Sequence, residues 1–357
     1  MTATTTHSAS ARAATDQYRR MIGRKRLIVA SLFVLTVAVL LCDVAVGGGS
    51  LPLGQLLRAC FAPWSSPPAV AQIVWNIRMP IAFTGVLVGG ALAVAGAEMQ
   101  TILNNPLAEP YTLGISAAAG FGAALSVVTG VSALPLGAVL GTAGSAWLFA
   151  MLACALIVTV SLLRGASTET MILLGIALVF LFTALLSLMQ YVASDAQLQQ
   201  VLFWTLGSLS RATWPQIAMI AVVLVVITPL FHRASWTLTA FRLGDDRAQS
   251  LGVAVQRTRI LTLVGVSLLA ATAVAFAGTI GFIGLVGPHI ARILIGEDQR
   301  YFLPASLLCG STLLCSASLG AQLIVHGVII PVGIITSLVG VPVFLVIVLS
   351  QRRRLWS

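Results

Sequence analysis

The sequence has few charged residues and almost no lysine. Only 8% of its 357 residues are charged, whereas 58% are hydrophobic. Soluble domains carry about 25% charged residues, so this chain has too little polar surface for a water-facing globule, which excludes a soluble enzyme. Lys25 is the only lysine. This excludes a P-loop lysine, a kinase-type lysine and a Schiff-base lysine inside a membrane, so any ATP that drives the protein must be bound by another chain.

Cysteine and histidine are also scarce and lack the spacing of metal ligands. The five cysteines form no CxxC pair and lie mostly in apolar runs, which is typical of small buried hydrophobic residues. His289 and His326 lie far apart, and neither belongs to an HExxH motif. We therefore expect no metal site. Nothing in the sequence pairs a nucleophile with a base, which disfavours a membrane-embedded hydrolase.

Long apolar runs are the main feature of the sequence. A bilayer core about 30 Å thick takes roughly 20 apolar residues per helix. Ten candidate runs predict an all-α polytopic membrane protein. They are 27–46, 80–103, 112–131, 134–163, 170–193, 215–232, 259–277, 279–296, 303–325 and 328–349. The third and eighth runs give the weakest signal because they are rich in Gly and Ala.

The basic residues are distributed unevenly between the predicted loops. The chain has 20 Lys and Arg against 10 Asp and Glu. With ten spans, all but three basic residues fall on one side, and the exceptions are Arg58, Arg78 and Arg211. Cytoplasmic loops carry the excess of Lys and Arg, so both termini are predicted to be cytoplasmic. The basic surplus is then mostly a topology signal, and we expect no nucleic-acid partner.

These features divide the chain into three parts. Residues 1–26 are rich in Ser, Thr, Ala and Arg and predict a flexible cytoplasmic tail, although their composition also resembles a transit peptide. Residues 27–350 form the predicted ten-helix transmembrane domain, with a long cytoplasmic loop at 233–257. Residues 351–357 form a short basic cytoplasmic tail.

The chain also contains a weak internal repeat. At an offset of 182 residues, Ala93–Gly96 aligns with Ala275–Gly278. The two halves, about 78–193 and 257–350, begin five predicted helices apart, and an odd shift reverses orientation in the membrane. This pattern predicts an inverted-topology repeat of the kind found in transport proteins. General similarity between Gly- and Ala-rich membrane helices is the alternative.

Several residues are candidates for the transport pathway or for breaks in the helices. Glu98 is the one firm ionisable candidate inside a span, and it either lines a pathway or bonds a neighbouring helix. Proline lacks an N–H group, so the segments 104–110 and 281–288 are not expected to be straight helix throughout. The candidates are Glu98, Gln100, Asn105, Pro106, Pro288 and His289.

Two polar segments on the predicted cytoplasmic side have clear local signals. Ser167–Glu169 predicts a helix N-cap with an acid in the first turn. The segment 241–252 predicts two short helices, broken at Gly244 and Gly252, with Asp245–Asp246 at the start of the second helix. A rigid, charged helical elbow of this kind suits docking to another protein.

Several motifs, taken in order along the chain, resemble the permease subunits of the iron-siderophore, haem and vitamin B12 ABC importers. They are Arg78–Pro80, Gly96–Gln100, Asn105–Pro110, Leu113–Ser116, Leu243–Gly252, Gly281–Leu285, Pro288–Arg292, Pro331–Thr336 and Gly340–Phe344. The resemblance covers about residues 27–350, and the correct order of several motifs makes it specific.

The resemblance implies a permease subunit that translocates a ferric siderophore or a similar metal chelate across a bacterial plasma (inner) membrane. It implies a second permease copy or a paralogue, an external or periplasmic substrate-binding protein, and two ATPase subunits that bind ATP and magnesium. The chain itself would hold no cofactor and would not be an enzyme. A haem or cobalamin importer of the same family is the alternative, and an ion-coupled secondary transporter is less favoured.

The resemblance also implies roles for individual residues. Arg78 would dock the binding protein. This chain departs from some family members, which carry Arg-x-Pro-Arg at this position and an arginine where this chain has Gln322. Arg58 and Arg211 are therefore further candidates for docking. The cytoplasmic gate would include Ser167, Thr168 and Glu169. Coupling to the ATPase would involve Leu243, Gly244, Asp245, Asp246, Ala248, Leu251 and Gly252.

Overall fold

A computed structural model describes residues 3–46, 52–130, 135–164, 167–324 and 330–352, and these ranges contain helices but no β-strand. The α-helices are α1 (Ala3–Val46), α2 (Leu53–Phe61), α3 (Pro68–Ile73), α4 (Met79–Ile102), α5 (Ile115–Thr129), α6 (Pro135–Arg164), α7 (Thr168–Val192), α8 (Asp195–Thr205), α9 (Trp214–Arg233), α10 (Ser235–Ala240), α11 (Asp245–Ser250), α12 (Val255–Ala277), α13 (Ile283–Ile295), α14 (Gln299–Ile324) and α15 (Val332–Arg352).

Short helical turns of other types lie between some of these helices. A π-helix at Val74–Arg78 joins α3 to α4. Single 3₁₀ turns occupy Pro63–Ser65, Pro110–Leu113, Leu209–Arg211 and Phe241–Leu243.

Seven helical segments within the described ranges are long and apolar enough to cross a membrane. They are Asp16–Val46, Pro68–Ile102, Gly141–Leu163, Thr168–Val192, Trp214–Arg233, Val255–Ala277 and Gln299–Ile324. Each overlaps one predicted span. Shorter apolar helices, Ile115–Thr129, Ile283–Ile295 and Val332–Val346, occupy the third, eighth and tenth predicted spans. The all-α class is confirmed, whereas crossing by ten helices stays a prediction.

The first helix begins well before its hydrophobic run. Residues 3–26, for which we expected a flexible tail, are helical here as part of α1. Lys25 Nζ lies 3.5 Å from Asp298 Oδ2, just before α14. This ion pair ties the start of the membrane segment to the rest of the bundle. At the other terminus α15 runs to Arg352, and residues 353–357 of the predicted basic tail lie outside the described ranges.

The two helices that begin the repeat halves form the centre of the bundle. Both α4 and α12 are buried along most of their length. They pack against each other and against α9, while α4 also contacts α13 and α14 and α12 contacts α6. Arg259 near the N-terminus of α12 bonds the carbonyl of Ile102 at the C-terminus of α4, so the two helices run in opposite directions. That the two halves form an inverted repeat stays a prediction.

Close contact between these central helices depends on glycine. A Cβ atom at Gly96 in α4 would overlap the backbone carbonyl of Gly284 in α13. In the same way, a Cβ atom at Gly89 would overlap the carbonyl of Gly310 in α14. Small residues allow membrane helices to approach with backbones in contact, where van der Waals packing stabilises the association. These two glycines therefore set the spacing of α4 from its neighbours.

The two ends of the bundle carry different groups. We call the segment 235–252 the elbow, and the end of the bundle on which it lies the elbow end. The C-terminus of α4 and the N-terminus of α12 are at this end. At the opposite end, Arg78 precedes α4, and Arg211 lies beside Gly278 at the C-terminus of α12. Arg78 and Arg211 therefore lie at the end opposite the elbow, where the predicted topology also places them.

Candidate functional site

The local structure of the elbow agrees with the sequence prediction. It consists of α10, the 3₁₀ turn Phe241–Leu243 and α11. The backbone has positive φ angles of +90° at Gly244 and +85° at Gly252, which side chains with a Cβ rarely adopt. Both predicted breaks are confirmed. Asp245 and Asp246 occupy the first turn of α11, as expected.

The elbow has one buried face and one exposed face. Phe241 and Ala248 are buried in a small cluster, which is completed by Ala240, Val253 and Val255. Leu243 and Leu251 are half exposed although they are apolar, and Asp246 is also exposed. A docking partner would therefore meet Leu243, Leu251 and Asp246. Ala248, which the family resemblance placed among the coupling residues, contributes by packing inside the elbow.

Arg259 connects the elbow to the two central helices. Its Nη2 donates to both carboxylate oxygens of Asp245, at 2.8 and 2.9 Å, and its Nε donates to the Ile102 carbonyl at 3.0 Å. Its guanidinium also lies 5.5 Å from the ring centroid of Phe241. The arginine is almost fully buried, whereas the Asp245 side chain is about half exposed, so the pair lies at the boundary between the bundle and the solvent. The sequence predicted Asp245 as a site residue, whereas Arg259 was only one of the basic residues that indicated the orientation in the membrane.

A second charged group joins the elbow to α13. Arg242 forms a close ion pair with Glu297, and Arg292 Nε lies 3.2 Å from the same Glu297 Oε1. Both guanidinium groups also face the ring of Phe302, at 5.5 and 5.3 Å from its centroid. Partial burial alone would raise the pKa of Glu297, but the hydrogen bond from Arg242 and the two positive charges outweigh it and lower that pKa.

Gln100 in α4 links this charged group to the start of α13. Its Oε1 accepts a hydrogen bond of 2.8 Å from Arg292, and its Nε2 donates to the Gly284 carbonyl at 3.4 Å. In a regular helix that carbonyl would accept from residue 288, but Pro288 has no N–H group. Gln100 therefore supplies the donor that Pro288 lacks.

The segment 281–288 is not helical throughout, as expected, because residues 281 and 282 precede α13. Pro288, a helix-break candidate, does not itself mark the break, since α13 runs through it from Ile283 to Ile295. The non-helical segment is 278–282 instead. Phe282 has a positive φ of +68°. The buried Glu109 lies beside this break, with its carboxylate near Gly284 in the first turn of α13.

The other pathway candidates have separate surroundings. Asn105 Oδ1 accepts a hydrogen bond of 3.0 Å from the Leu107 amide, which shapes the turn that contains Pro106. Glu98 is fully buried in α4, and His289 is partly buried in α13. His326 lies outside the described residues. Within the described ranges, no group of three His, Cys, Asp or Glu side chains could hold a metal ion.

The segment Ser167–Glu169 forms the predicted N-cap. Ser167 Oγ accepts a hydrogen bond of 3.2 Å from the Thr170 amide at the start of α7. Thr168 begins the helix, and Glu169 lies in its first turn, where the helix dipole favours a negative charge. The local structure is confirmed, and a role at a gate stays a prediction.

The three arginines proposed for docking differ in exposure. Arg58 is exposed on α2. Arg78 is buried, and its Nη1 donates to the carbonyls of Val44 and Ala45 at the end of α1, at 3.1 and 3.0 Å. The expectation that Arg78 faces outward is therefore corrected, because its side chain is buried and its charge stabilises a helix C-terminus inside the subunit.

Arg211 is intermediate between these two cases. It is partly buried, and its guanidinium donates to the carbonyls of Phe203 and Trp204 at the end of α8. Arg78 and Arg211 thus both donate hydrogen bonds to helix C-termini. Of the three candidates, Arg58 presents its charge most openly.

Comparison with known proteins gives a consistent result. The model of the FecCD transport family matches residues 34–350. The hemin transport system permease protein of Yersinia pestis is 35% identical over 329 residues, covering 92% of this chain and 97% of the relative. The vitamin B12 import system permease protein of Klebsiella pneumoniae is 34% identical over 337 residues, covering 93% and 96% respectively.

A solved structure also resembles the whole fold. It is an inward-facing conformation of a protein assigned as a metal-chelate type ABC transporter. The chain superposes on it with a TM-score of 0.78 at 29% sequence identity, covering 91% of this chain and 99% of the other. The likeness therefore extends over most of the chain.

Proposed function

This chain belongs to the FecCD transport family, and on that premise we propose that its elbow receives the movement of separate ATPase subunits during import of a metal chelate. The observation that carries this proposal is the contact of one buried side chain, Arg259, with the elbow and with the end of α4. A displacement of the elbow then acts directly on the two most buried helices of the bundle.

The elbow has the surface that such a partner requires. Half-exposed Leu243 and Leu251 offer apolar area, and the exposed Asp246 offers a charge at the N-terminus of α11. Interfaces commonly combine an apolar centre with a charged rim that selects the partner. Ala248 and Phe241 support this surface from behind. The lone lysine of the chain supports ATP binding by the partner, because no P-loop lysine is available here.

The proposed substrate is a ferric siderophore or a similar metal chelate. A relative that imports hemin, relatives that import vitamin B12 and a metal-chelate type structural neighbour support this class. All three names refer to large metal-containing ligands. Haem or cobalamin is the alternative, and identification of the binding protein that co-purifies with the complex, together with its ligand, would decide between them.

The proposed orientation places the elbow and both termini on the cytoplasmic side of a bacterial inner membrane. The support is the positive-inside rule, since all but three of the 20 basic residues fall on the elbow side of the predicted topology. The remaining partners follow from the family: a second permease copy or paralogue in the membrane, two ATPase subunits at the elbow, and an external binding protein. Arg58 is the candidate that we retain for docking the latter.

The experiment is ATP-driven uptake by the full complex in proteoliposomes. Replacement of Asp246 by arginine should strongly lower uptake while membrane insertion and expression remain normal, because Asp246 is exposed and, unlike Asp245, is not the partner of Arg259. Replacement of the exposed Asp16 in α1 by arginine adds a positive charge outside the elbow and serves as the control. Full uptake by the Asp246→Arg protein would contradict the coupling role. Uptake driven by an ion gradient without any ATPase subunit would instead identify a secondary transporter.

A further inference from the structure

Glu98 is a buried carboxylate without a hydrogen-bond partner. It lies in α4, its side chain is fully buried, and neither carboxylate oxygen has a partner among the described residues. Buried carboxylates are normally paired because an isolated buried charge is costly. A residue needed only for helix packing could be apolar. The position of this acid therefore points to a partner that is absent in the present arrangement.

Arg242 of the elbow lies near the helix that carries Glu98. The turn Phe241–Leu243, which contains Arg242, is in contact with α4, and the positive charge of Arg242 acts on Glu98. The surroundings of Phe302 include both regions. Ala97, next to Glu98, belongs to the buried cluster that contains Phe302, and the Arg242 guanidinium faces the Phe302 ring. Glu98 and Arg242 therefore both lie near this cluster.

Arg242 also has an unused donor. Its Nε is buried and has no hydrogen-bond partner within the part of the chain that the structure describes, although the guanidinium is paired with Glu297 through Nη1. Glu297 is half exposed and already shared with Arg292. One acid therefore serves two arginines, while a second acid, Glu98, serves none. A movement of Arg242 toward Glu98 would give each acid its own arginine.

We infer that Glu98 is a positioning residue that accepts the guanidinium of Arg242 in a second position of the elbow. In the arrangement described here Arg242 pairs with Glu297. In the second, Arg242 pairs with Glu98 and leaves Glu297 to Arg292. The exchange would pull the turn Phe241–Leu243 toward α4. This inference rests on the proposed coupling function and adds a specific contact by which elbow movement reaches a central helix.

The first test is a double-mutant cycle in the reconstituted complex. Glu98→Gln and Arg242→Gln should each lower ATP-driven uptake about tenfold, and the double variant should be no slower than either single variant, because coupled residues are not additive. Glu98→Asp keeps the acceptor and should retain most of the uptake. Effects of the two single substitutions that simply multiply would overturn the inference.

The second test measures the elbow directly. Spin labels at Trp236→Cys and Ile293→Cys, both exposed in the structure and outside the proposed docking surface, report the distance from the elbow to α13 after replacement of the five native cysteines. Nucleotide binding by the ATPase should change this distance in the parent and in Glu98→Asp, and not in Glu98→Gln. An unchanged nucleotide response in Glu98→Gln contradicts the two-position elbow.

These measurements separate the inference from the proposed function. ATPase subunits that bind the chain and drive uptake, combined with normal uptake by Glu98→Gln, would remove the role of Glu98 and leave the coupling function intact. Failure of the unsubstituted chain to bind any ATPase subunit would remove both. A Glu297→Gln control should shift the elbow distance in the direction opposite to Glu98→Gln, since it removes the other acceptor.

Discussion

Asp245 accepts two hydrogen bonds from Nη2 of Arg259, at 2.8 and 2.9 Å, while Nε of the same arginine bonds the last turn of α4. One side chain therefore joins three separate parts of the protein: the elbow, the start of α12 and the end of α4. An arginine can do this because its donors point in different directions from a planar group, whereas a lysine offers a single charged centre.

Arg259→Lys should consequently weaken the junction although it keeps the charge. The lysine ammonium cannot serve Asp245 and the Ile102 carbonyl together, and we expect a loss of about 1–2 kcal/mol in the free energy of unfolding. Thermal unfolding in detergent and ATP-driven uptake would measure the effect. Arg247→Lys, an exposed position on the same elbow, is the matched control and should behave like the parent. Equal behaviour of both variants would contradict the anchoring role.

Gly96→Ala should destabilise the central helices. The added Cβ would overlap the backbone carbonyl of Gly284, which cannot move aside as a flexible side chain can. Overpacking of this kind costs about 1–3 kcal/mol. Gly120→Ala in α5 is the control, because its Cβ would meet only Leu186 at an ordinary 3.6 Å. A thermal midpoint for Gly96→Ala at or above that of Gly120→Ala would show that the helices can separate freely.

Gln100 and Pro288 should interact in a double-mutant cycle. Gln100→Glu removes the donor to the Gly284 carbonyl and keeps an acceptor for Arg292, so it should lower stability by about 1 kcal/mol. In a Pro288→Ala background the backbone N–H of residue 288 can bond that carbonyl itself. The cost of Gln100→Glu should then shrink, as measured by chemical or thermal unfolding. An equal cost in both backgrounds would argue against the substitute hydrogen bond.

Arg58 and Arg78 should give different phenotypes. Arg78→Ala removes the donor to two carbonyls at the end of α1, so we expect a lower thermal midpoint. Arg58→Glu reverses an exposed charge and should leave the thermal midpoint unchanged. It should lower the affinity for the binding protein several-fold, and more strongly at low ionic strength. Binding-protein titrations at two salt concentrations would measure this. Unaltered affinity would exclude Arg58 from the docking surface.

Features that depend on near neighbours in the chain were predictable. Ser167 caps α7, and the elbow breaks at Gly244 and Gly252, because a cap or a positive φ is decided within a few residues. The apolar runs likewise located the long helices. Pro288 was misjudged because a proline near the start of a helix can be tolerated when another residue satisfies the freed carbonyl.

The residues that complete the site were not predictable in the same way. In the sequence, Arg259 and Arg292 are recognisable only as charges on one side of a membrane, and nothing near them in the chain indicates Asp245 or Gln100 as partners. Arg78 looked like an exposed arginine in a polar loop. Its buried position follows from the end of α1, which lies more than 30 residues earlier in the sequence.

The sequence by itself determined the helical membrane class, the partition of basic residues and the local form of the elbow, since hydropathy, charge and turn chemistry act over short stretches. Only the tertiary structure decided which side chains meet. Arg259 and the Ile102 carbonyl are 157 residues apart in the chain, and Gln100 and Arg292 are 192 residues apart. Such contacts depend on how antiparallel helices pack at their glycines, which no local pattern specifies.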